Sequence, residues 1–416
     1  MAVAQGFSKI TTSGSVFMYD TADGVNSFKG KPATNILTGI SPGMGNNPPL
    51  FVVSYGTESA YIPGLGKSVT ANYCNIYNDY NGGSGQCCPS LFVFASNITA
   101  GVTGSTTYTY QIIYRTTDGY YHENYMYRYE YSPSSYITEG GFLSPSRMED
   151  LGDGWIHGWG TFTTNAATTR LYCYLFHYQY ATQNKVQVAG IMLTQGSQVL
   201  RPNQFLAPQT SRSNTQSLLP LISNSSLSVS DVSFNSVGTM TFDGTNDQIP
   251  VSANSTFNTN NFSVEAIFKL STYDNEHRTV ASRNASVYSH TNGWWMGTLR
   301  NGLGSGNNDF RFFMWGDSSY VTYATSNGAN DGKYHQMVIA CDGTNVFFYV
   351  DGQLVNTPTK PSGNLYSAAE NMLIGKSSVG DYWAGEIPNL KFYNRALTAG
   401  EVLNNYNHYK TKYNLP

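Results

Sequence analysis

At 416 residues the chain is long enough for about two to three domains with cores of their own. Only 12% of the residues are charged, the formal net charge is −3 and no long basic run occurs, which argues against nucleic-acid binding; no apolar run has the length of a membrane-crossing helix. An aromatic share of 14%, with 32 tyrosines and 41 glycines, favours strands and turns, and Met1 to Gly6 lacks the charged and apolar regions of a secretory leader, so synthesis in a cytoplasm is expected.

The first predicted strand runs from Ser13 to Asp20 and is followed by a polar turn, Asn26-Ser-Phe-Lys-Gly30. Residues 1–35 are too short and polar to fold alone and are assigned as a lead-in or attachment segment. Residues 36–208 are strand-length runs divided by turn clusters, the pattern of a β-sandwich. Within this block Tyr108 to Tyr114 leads to an Asp118-Gly119 turn, after which Tyr125, Tyr127, Tyr129 and Tyr131 alternate with Met126, Arg128 and Glu130. That period of two predicts a strand with one tyrosine face, expected to pack inward because the other face carries Arg128 and Glu130. Gly154 to Thr164, Leu171 to Phe176 and Val186 to Leu193 supply later strands. Residues 209–236 are assigned as linker and lead-in strand, since Gln209 to Ser217 is polar and without periodicity.

Residues 237–416 carry the clearest pattern. Met337 to Ala340 and Val346 to Val350 are apolar runs turned at Asp342-Gly343 and Asp351-Gly352, where aspartate and glycine supply the bonding and positive φ of tight turns. Before this meander come Phe242-Asp-Gly-Thr-Asn-Asp247 and Phe262 to Phe268; after it come Ile374-Gly375, Gly385-Glu-Ile387 and Phe392-Tyr-Asn-Arg-Ala-Leu-Thr398. Thr398 to Glu401 has the form of a capping box, so a short helix should follow and bury Val402, Leu403 and Tyr406, with Tyr409 to Tyr413 as an exposed tail.

Thr239 to Tyr413 resembles the laminin-G-like, concanavalin-A-like jelly-roll family, with Tyr334 where that family usually has tryptophan. The order of strands from Gly154 to Gly196 is similar to that of jelly-roll carbohydrate-binding modules. The lead-in from Ser13 to Asn35 resembles that of tailed-phage virion proteins, in which it runs directly through a phrase like Leu218 to Asp247 into the jelly roll; here Ile36 to Thr210 stands between the two halves. Together these resemblances imply an all-β chain of two antiparallel jelly-roll β-sandwiches in tandem, with one short C-terminal helix.

Hydrolysis of a sugar bond needs two carboxylates facing it, and in sandwich hydrolases these alternate along one strand. The strand Val264 to Lys269 offers Glu265 alone, and the chain has no E-x-D-x-E spacing, no nucleophile elbow, no phosphate loop and no zinc helix. His335 is expected to be a hydrogen-bonded strand residue. Calcium is a candidate ligand for the turns at Asp243 to Asp247 and Asp342 to Asn345, but Asx-turn bonding accounts for the same residues and none is assigned to an ion. Cys74, Cys87 and Cys88 allow one bridge or a soft metal, with free thiols the expected state of all five cysteines. Aromatic rings beside amides and acids suit stacking against sugars, which makes Trp155, Trp159, Trp294, Trp295, Trp315 and Trp383 the candidate carbohydrate-binding residues; Trp294 and Trp295, being adjacent on a strand, must face opposite ways.

The expectation is a non-enzymatic virion protein of a tailed phage, a fibre, spike or capsid decoration. It would be made in the host cytoplasm and displayed on the virion surface with other virion proteins as a homo-oligomer such as a trimer, binding a host-surface glycan. A carbohydrate-active lectin or hydrolase is the alternative.

Overall fold

The computed structural model describes residues 10–23, 27–37, 41–42, 50–78, 90–116, 124–141, 148–177, 183–197, 199–206, 210–222, 226–235, 239–271, 276–286, 291–299, 309–328 and 331–416. Among them the chain is almost wholly β-structure. It divides into two compact units, one made of residues 1–31, 214–235 and 239–416, the other essentially residues 32–213.

The first unit is a two-sheet sandwich. Its central strand, Ala384–Tyr393, pairs along one edge with Asn261–Leu270. The opposite edge is shared, Met240–Asp243 taking its beginning and Ser15–Asp20 its end. His335–Asp342, Val346–Val350 and Gln353–Asn356 extend this sheet as the expected meander. Against it lies a second sheet in the order Ile249–Val251, Met372–Ile374, Arg278–Arg283, Gly293–Leu299, Asp309–Trp315, Tyr320–Gly328. Alternation sends Phe17, Val264, Ile339 and Phe392 from one sheet, and Trp294, Met296, Phe312 and Met314 from the other, into one core.

Residues 15–31 and 214–235 are therefore part of the jelly roll, rather than a separate attachment segment and a linker. Phe17 and Tyr19 are fully buried, and the Tyr19 hydroxyl donates to the Ile387 carbonyl at 2.8 Å. The two halves of the lead-in phrase rejoin across the gap in sequence. Phe28 bridges Leu218, Met18 bridges Ile222, and the Lys29 and Leu219 amides donate to the Ser217 and Ser27 carbonyls. The second sandwich is thus an insertion in the first and does not simply precede it.

That inserted unit has a six-stranded and a five-stranded sheet around Tyr108, Tyr110, Ile112, Leu171, Val188 and Leu193. Its two ends meet, because Ala33–Thr34 pairs antiparallel with Ser211–Arg212. Just inside this junction Asn35 is fully buried and makes four bonds: its amide donates to the carbonyls of Ile191 and Leu206, and its Oδ1 accepts from the amides of Leu37 and Leu193. An asparagine can satisfy donors and acceptors at once, which suits a buried crossing of irregular chain.

The C-terminal helix spans Ala399–Tyr413, and the Thr398–Glu401 capping box starts it. It is longer than predicted: Tyr409 and Tyr413 are buried, while Leu403 is 42% exposed. Val402, Tyr406, Tyr409 and Tyr413 recur at three- and four-residue intervals and form the buried face, which turns Leu403 outward and prevents residues 409–413 from being a tail.

Candidate functional site

The Asn124–Tyr131 strand lies in the five-stranded sheet between Arg170–His177 and Tyr136–Gly141. Its alternation is as predicted, but its faces are reversed. Glu130 is fully buried, its carboxylate accepting from Arg128 Nε at 2.6 Å, from the Asn165 amide at 2.8 Å and from the Thr168 hydroxyl at 2.6 Å. The Arg128 guanidinium lies over the Phe162 ring, 4.5 Å from its centroid. Two residues apart on a strand, the two side chains share a face, and the guanidinium neutralises the buried carboxylate. Tyr129 and Tyr131 are left on the opposite, outer face.

Register then gathers aromatic rings there. Tyr172 pairs with Tyr129, Arg170 with Tyr131, and Tyr131 with Tyr136. Ring centroids are 5.1 Å apart for Tyr131 and Tyr172, 5.6 Å for Tyr131 and Tyr136, and 6.5 Å for Tyr129 and Tyr136; the Arg170 guanidinium sits 5.0 Å from the Tyr131 centroid. Tyr136 is 50% exposed and Tyr129, Tyr131 and Tyr172 are half-buried. Four contiguous phenols with one guanidinium make a platform of the kind on which the C–H side of a sugar stacks. The side chains of Tyr125 and Tyr127, which share the alternation, lie outside the described residues.

The predicted tryptophans are placed otherwise. Trp155, Trp294, Trp295 and Trp383 are at most 1% exposed and Trp315 6%, so five of the six rings are core and cannot stack on an external sugar in this structure. Trp294 and Trp295 do face opposite ways, but the outer face is covered too: Trp295 packs with Ala285, Phe313 and Trp315 and donates from Nε1 to Thr279 Oγ1 at 2.7 Å. Trp159 alone is half-buried, 5.0 Å centroid to centroid from His157. Burial holds the His157 pKa below its usual value despite Glu149 at 3.4 Å, and its Nε2 is 3.2 Å from Gln111.

Several acids of the jelly roll have structural partners. Glu265 is fully buried, 3.0 Å from Lys391 Nζ, and accepts from Gln336 Nε2 at 2.8 Å and Asn405 Nδ2 at 2.7 Å. His335 is held between Asp351 at 2.8 Å and Asp331 at 3.0 Å. In the Asp-Gly turns, Asp243 Oδ1 accepts from the Thr245 and Asn246 amides and Asp342 Oδ1 from the Thr344 and Asn345 amides, the Asx-turn pattern. Among the described residues no three His, Cys, Asp or Glu side chains converge as metal ligands. Cys173 and Cys341 are buried free thiols, and burial pushes the Cys173 pKa up to about 12; Cys87 and Cys88 and the side chain of Cys74 lie outside the described residues.

Comparison with known families matches residues 243–403 to the concanavalin A-like lectin/glucanases superfamily, so the C-terminal jelly roll is a domain of that fold. Comparison with curated proteins finds no match. Among solved structures the chain is similar to domain 4 of AbnA, an extracellular arabinanase of Geobacillus stearothermophilus in complex with arabinotriose. Identity is 18%, coverage 44% of this chain and 83% of that one, and the TM-score 0.34. It is similar also to the binding domain of botulinum neurotoxin serotype D in complex with N-acetylneuraminic acid (15% identity, 47% of this chain, 49% of that one, TM-score 0.37). A third is the binding domain of Paraclostridial Mosquitocidal Protein 1 (15%, 45%, 48%, 0.35). The chain spans about half the length of the last two. At these identities and scores nothing about a ligand passes from them to this chain.

Proposed function

From a lectin-type jelly roll carrying an inserted sandwich with a tyrosine platform, we propose that the protein is a non-enzymatic carbohydrate-binding adhesin, with the inserted unit as its ligand-bearing part. The observation that carries this is the outward face of Tyr129, Tyr131, Tyr136 and Tyr172 with Arg170, on the side of the sheet opposite the Arg128–Glu130 pair. A sheet face fixes its rings before the ligand arrives, so little rotamer freedom is lost on stacking. The proposed setting is the surface of a tailed-phage virion, as a fibre, spike or decoration protein assembled as a homo-oligomer such as a trimer and facing a host-surface glycan. Support for that setting is the lead-in phrase, whose halves resemble the virion lead-in and rejoin in space as one part of the jelly roll.

A glycan array probed with the intact protein and with a Tyr131→Ala/Tyr136→Ala/Tyr172→Ala variant tests the binding. Stacking contributes about 0.5–1.5 kcal/mol per ring, so the triple variant should lose at least tenfold in affinity while keeping its melting temperature to within a few degrees. Silence of the wild-type array, or equal binding by the variant, would remove the platform as the site. Reducing-sugar release by the intact protein would overturn the non-enzymatic part, and absence of the protein from purified particles the virion part.

A further inference from the structure

We propose a second carbohydrate site, on the jelly roll itself, at the tip of the hairpin joining Asp309–Trp315 to Tyr320–Gly328, where one sugar residue stacks on Tyr320 and presents a diol to Asp317 and Asn292. The proposal takes its ligand class from the adhesin function above, but neither its residues nor its location. Tyr320 is 57% exposed, among the most exposed large apolar side chains described, and its ring lies over Trp315 with centroids 4.4 Å apart. Trp315 is in turn fixed from behind, stacked with Phe313 and donating from Nε1 to the Ser286 carbonyl at 3.3 Å. An exposed phenol backed by an immobile indole is a rigid stacking surface and loses little freedom when covered.

The hairpin tip that carries it also carries polar groups of the kind that recognise hydroxyls. Asp317 is exposed; its Oδ1 accepts from the Asn292 amide and its Oδ2 from the Asn364 N–H. Each carboxylate oxygen can accept more than one bond, so lone pairs remain for a ligand. Ser318 and Ser319 hydroxyls lie 2.9 and 3.1 Å from that of Ser362. The Gly316 amide closes the hairpin tip by donating to the Ser319 carbonyl at 2.9 Å, and the Asp317 amide ties the tip to the loop at 360–364 by donating to the Ser362 carbonyl at 3.0 Å. A Cβ at Gly316 would run into the Ser362 carbonyl, and one at Gly363 into the Asp317 carboxylate, so glycine lets the loops approach this closely. A carboxylate aligned by an amide, on the same hairpin tip as a supported aromatic ring, is a donor–acceptor set for vicinal hydroxyls with the sugar's C–H face on the ring. A site built on the Asp317 carboxylate favours a neutral sugar over an acidic one, and Lys360, in the same loop as Ser362, is engaged by the Pro361 and Gly363 carbonyls at 2.7 Å.

The test is tryptophan fluorescence and ligand-observed NMR on the full chain carrying the platform triple substitution, titrated with the methyl glycosides of glucose, galactose, mannose, fucose and N-acetylglucosamine. At least one should bind saturably with a Kd on the order of millimolar, and binding should weaken about tenfold in Tyr320→Ala and in Asp317→Ala while Tyr320→Phe retains it. Asp317→Asn, which keeps the loop's shape, guards against a misfolded alanine variant and should weaken binding as well. If no glycoside binds, or if binding survives both Tyr320→Ala and Asp317→Asn, the site does not exist. Loss of array binding by the platform variant bears only on the first site, so the two proposals fail separately.

Discussion

His335 shows how far a single residue can be understood from its partners. Burial disfavours charge on its ring, but Asp351 and Asp331, hydrogen-bonded to its two nitrogens, outweigh that and hold its pKa above the usual value. A group whose folded pKa is raised contributes stability that is fully present below the unfolded pKa, about 6.5, and is lost as the pH rises through the folded value. Unfolding midpoints of the wild type should therefore fall between about pH 6.5 and the raised pKa relative to His335→Gln, which removes that titration; parallel curves for the two proteins across this range would refute the assignment. The strand position of His335 was legible in the Asp-Gly turns around it, but Asp331 was not legible as its partner. At Glu130 two charges on one strand face point to solvent by count, but Arg128 pairs with Glu130 at 2.6 Å and neutralises it, and that local pair is the signal that Tyr129 and Tyr131 take the opposite, outer face.

At the level of elements, the helix Ala399–Tyr413 covers a polar seam on the outer face of the large sheet. Glu265 and Lys391 are both fully buried and cross-paired, with Asn405 of the helix and Gln336 and Tyr393 of the sheet bonding the same carboxylate. Burial lowers the Lys391 pKa, and the carboxylate beside it acts in the opposite sense. Removing one member of such a pair strands the other, at roughly 3–5 kcal/mol, whereas replacing both with uncharged groups is far milder. Lys391→Met and Glu265→Gln should each lower the denaturation midpoint, and the double variant Lys391→Met/Glu265→Gln should recover most of the loss; a double variant as unstable as the sum of the singles would show the pair to be uncoupled. The capping box announced where this helix begins. Its end was not announced, because lysines and tyrosines alternating in Tyr409 to Tyr413 look solvated until the sheet beneath supplies a partner: Lys412 reaches Asp20 at 2.8 Å and the Tyr413 hydroxyl reaches the same carboxylate.

For the whole molecule, insertion means that residues 1–31 and 214–416 should fold without the sandwich between them. Joining Lys31 to Asn214 through a short Gly/Ser linker should yield a chain with one cooperative melt, because Phe28 and Leu218 already bridge near the cut. Residues 239–416 alone should fare worse: they lack Phe17 and Tyr19, each contributing about 1.5–3 kcal/mol of burial, and leave an edge of Ala384–Tyr393 unpaired. Equal melting temperatures for the two chains, measured by circular dichroism, would contradict this division. The interruption of the lead-in phrase was legible in the sequence as a break between Ile36 and Thr210; that its halves are one piece of sheet was not, since pairing between residues some 190 apart leaves no local trace.

The paired ends of the inserted unit have a mechanical consequence. A domain strung in tandem hangs from one covalent linker, so tension on its ligand passes through a single chain. Here Ala33–Thr34 and Ser211–Arg212 leave side by side, and a pull on the tyrosine platform is divided between two covalent paths, each loaded with a share of the force. A protease that nicks one crossing leaves the sandwich tethered by the other.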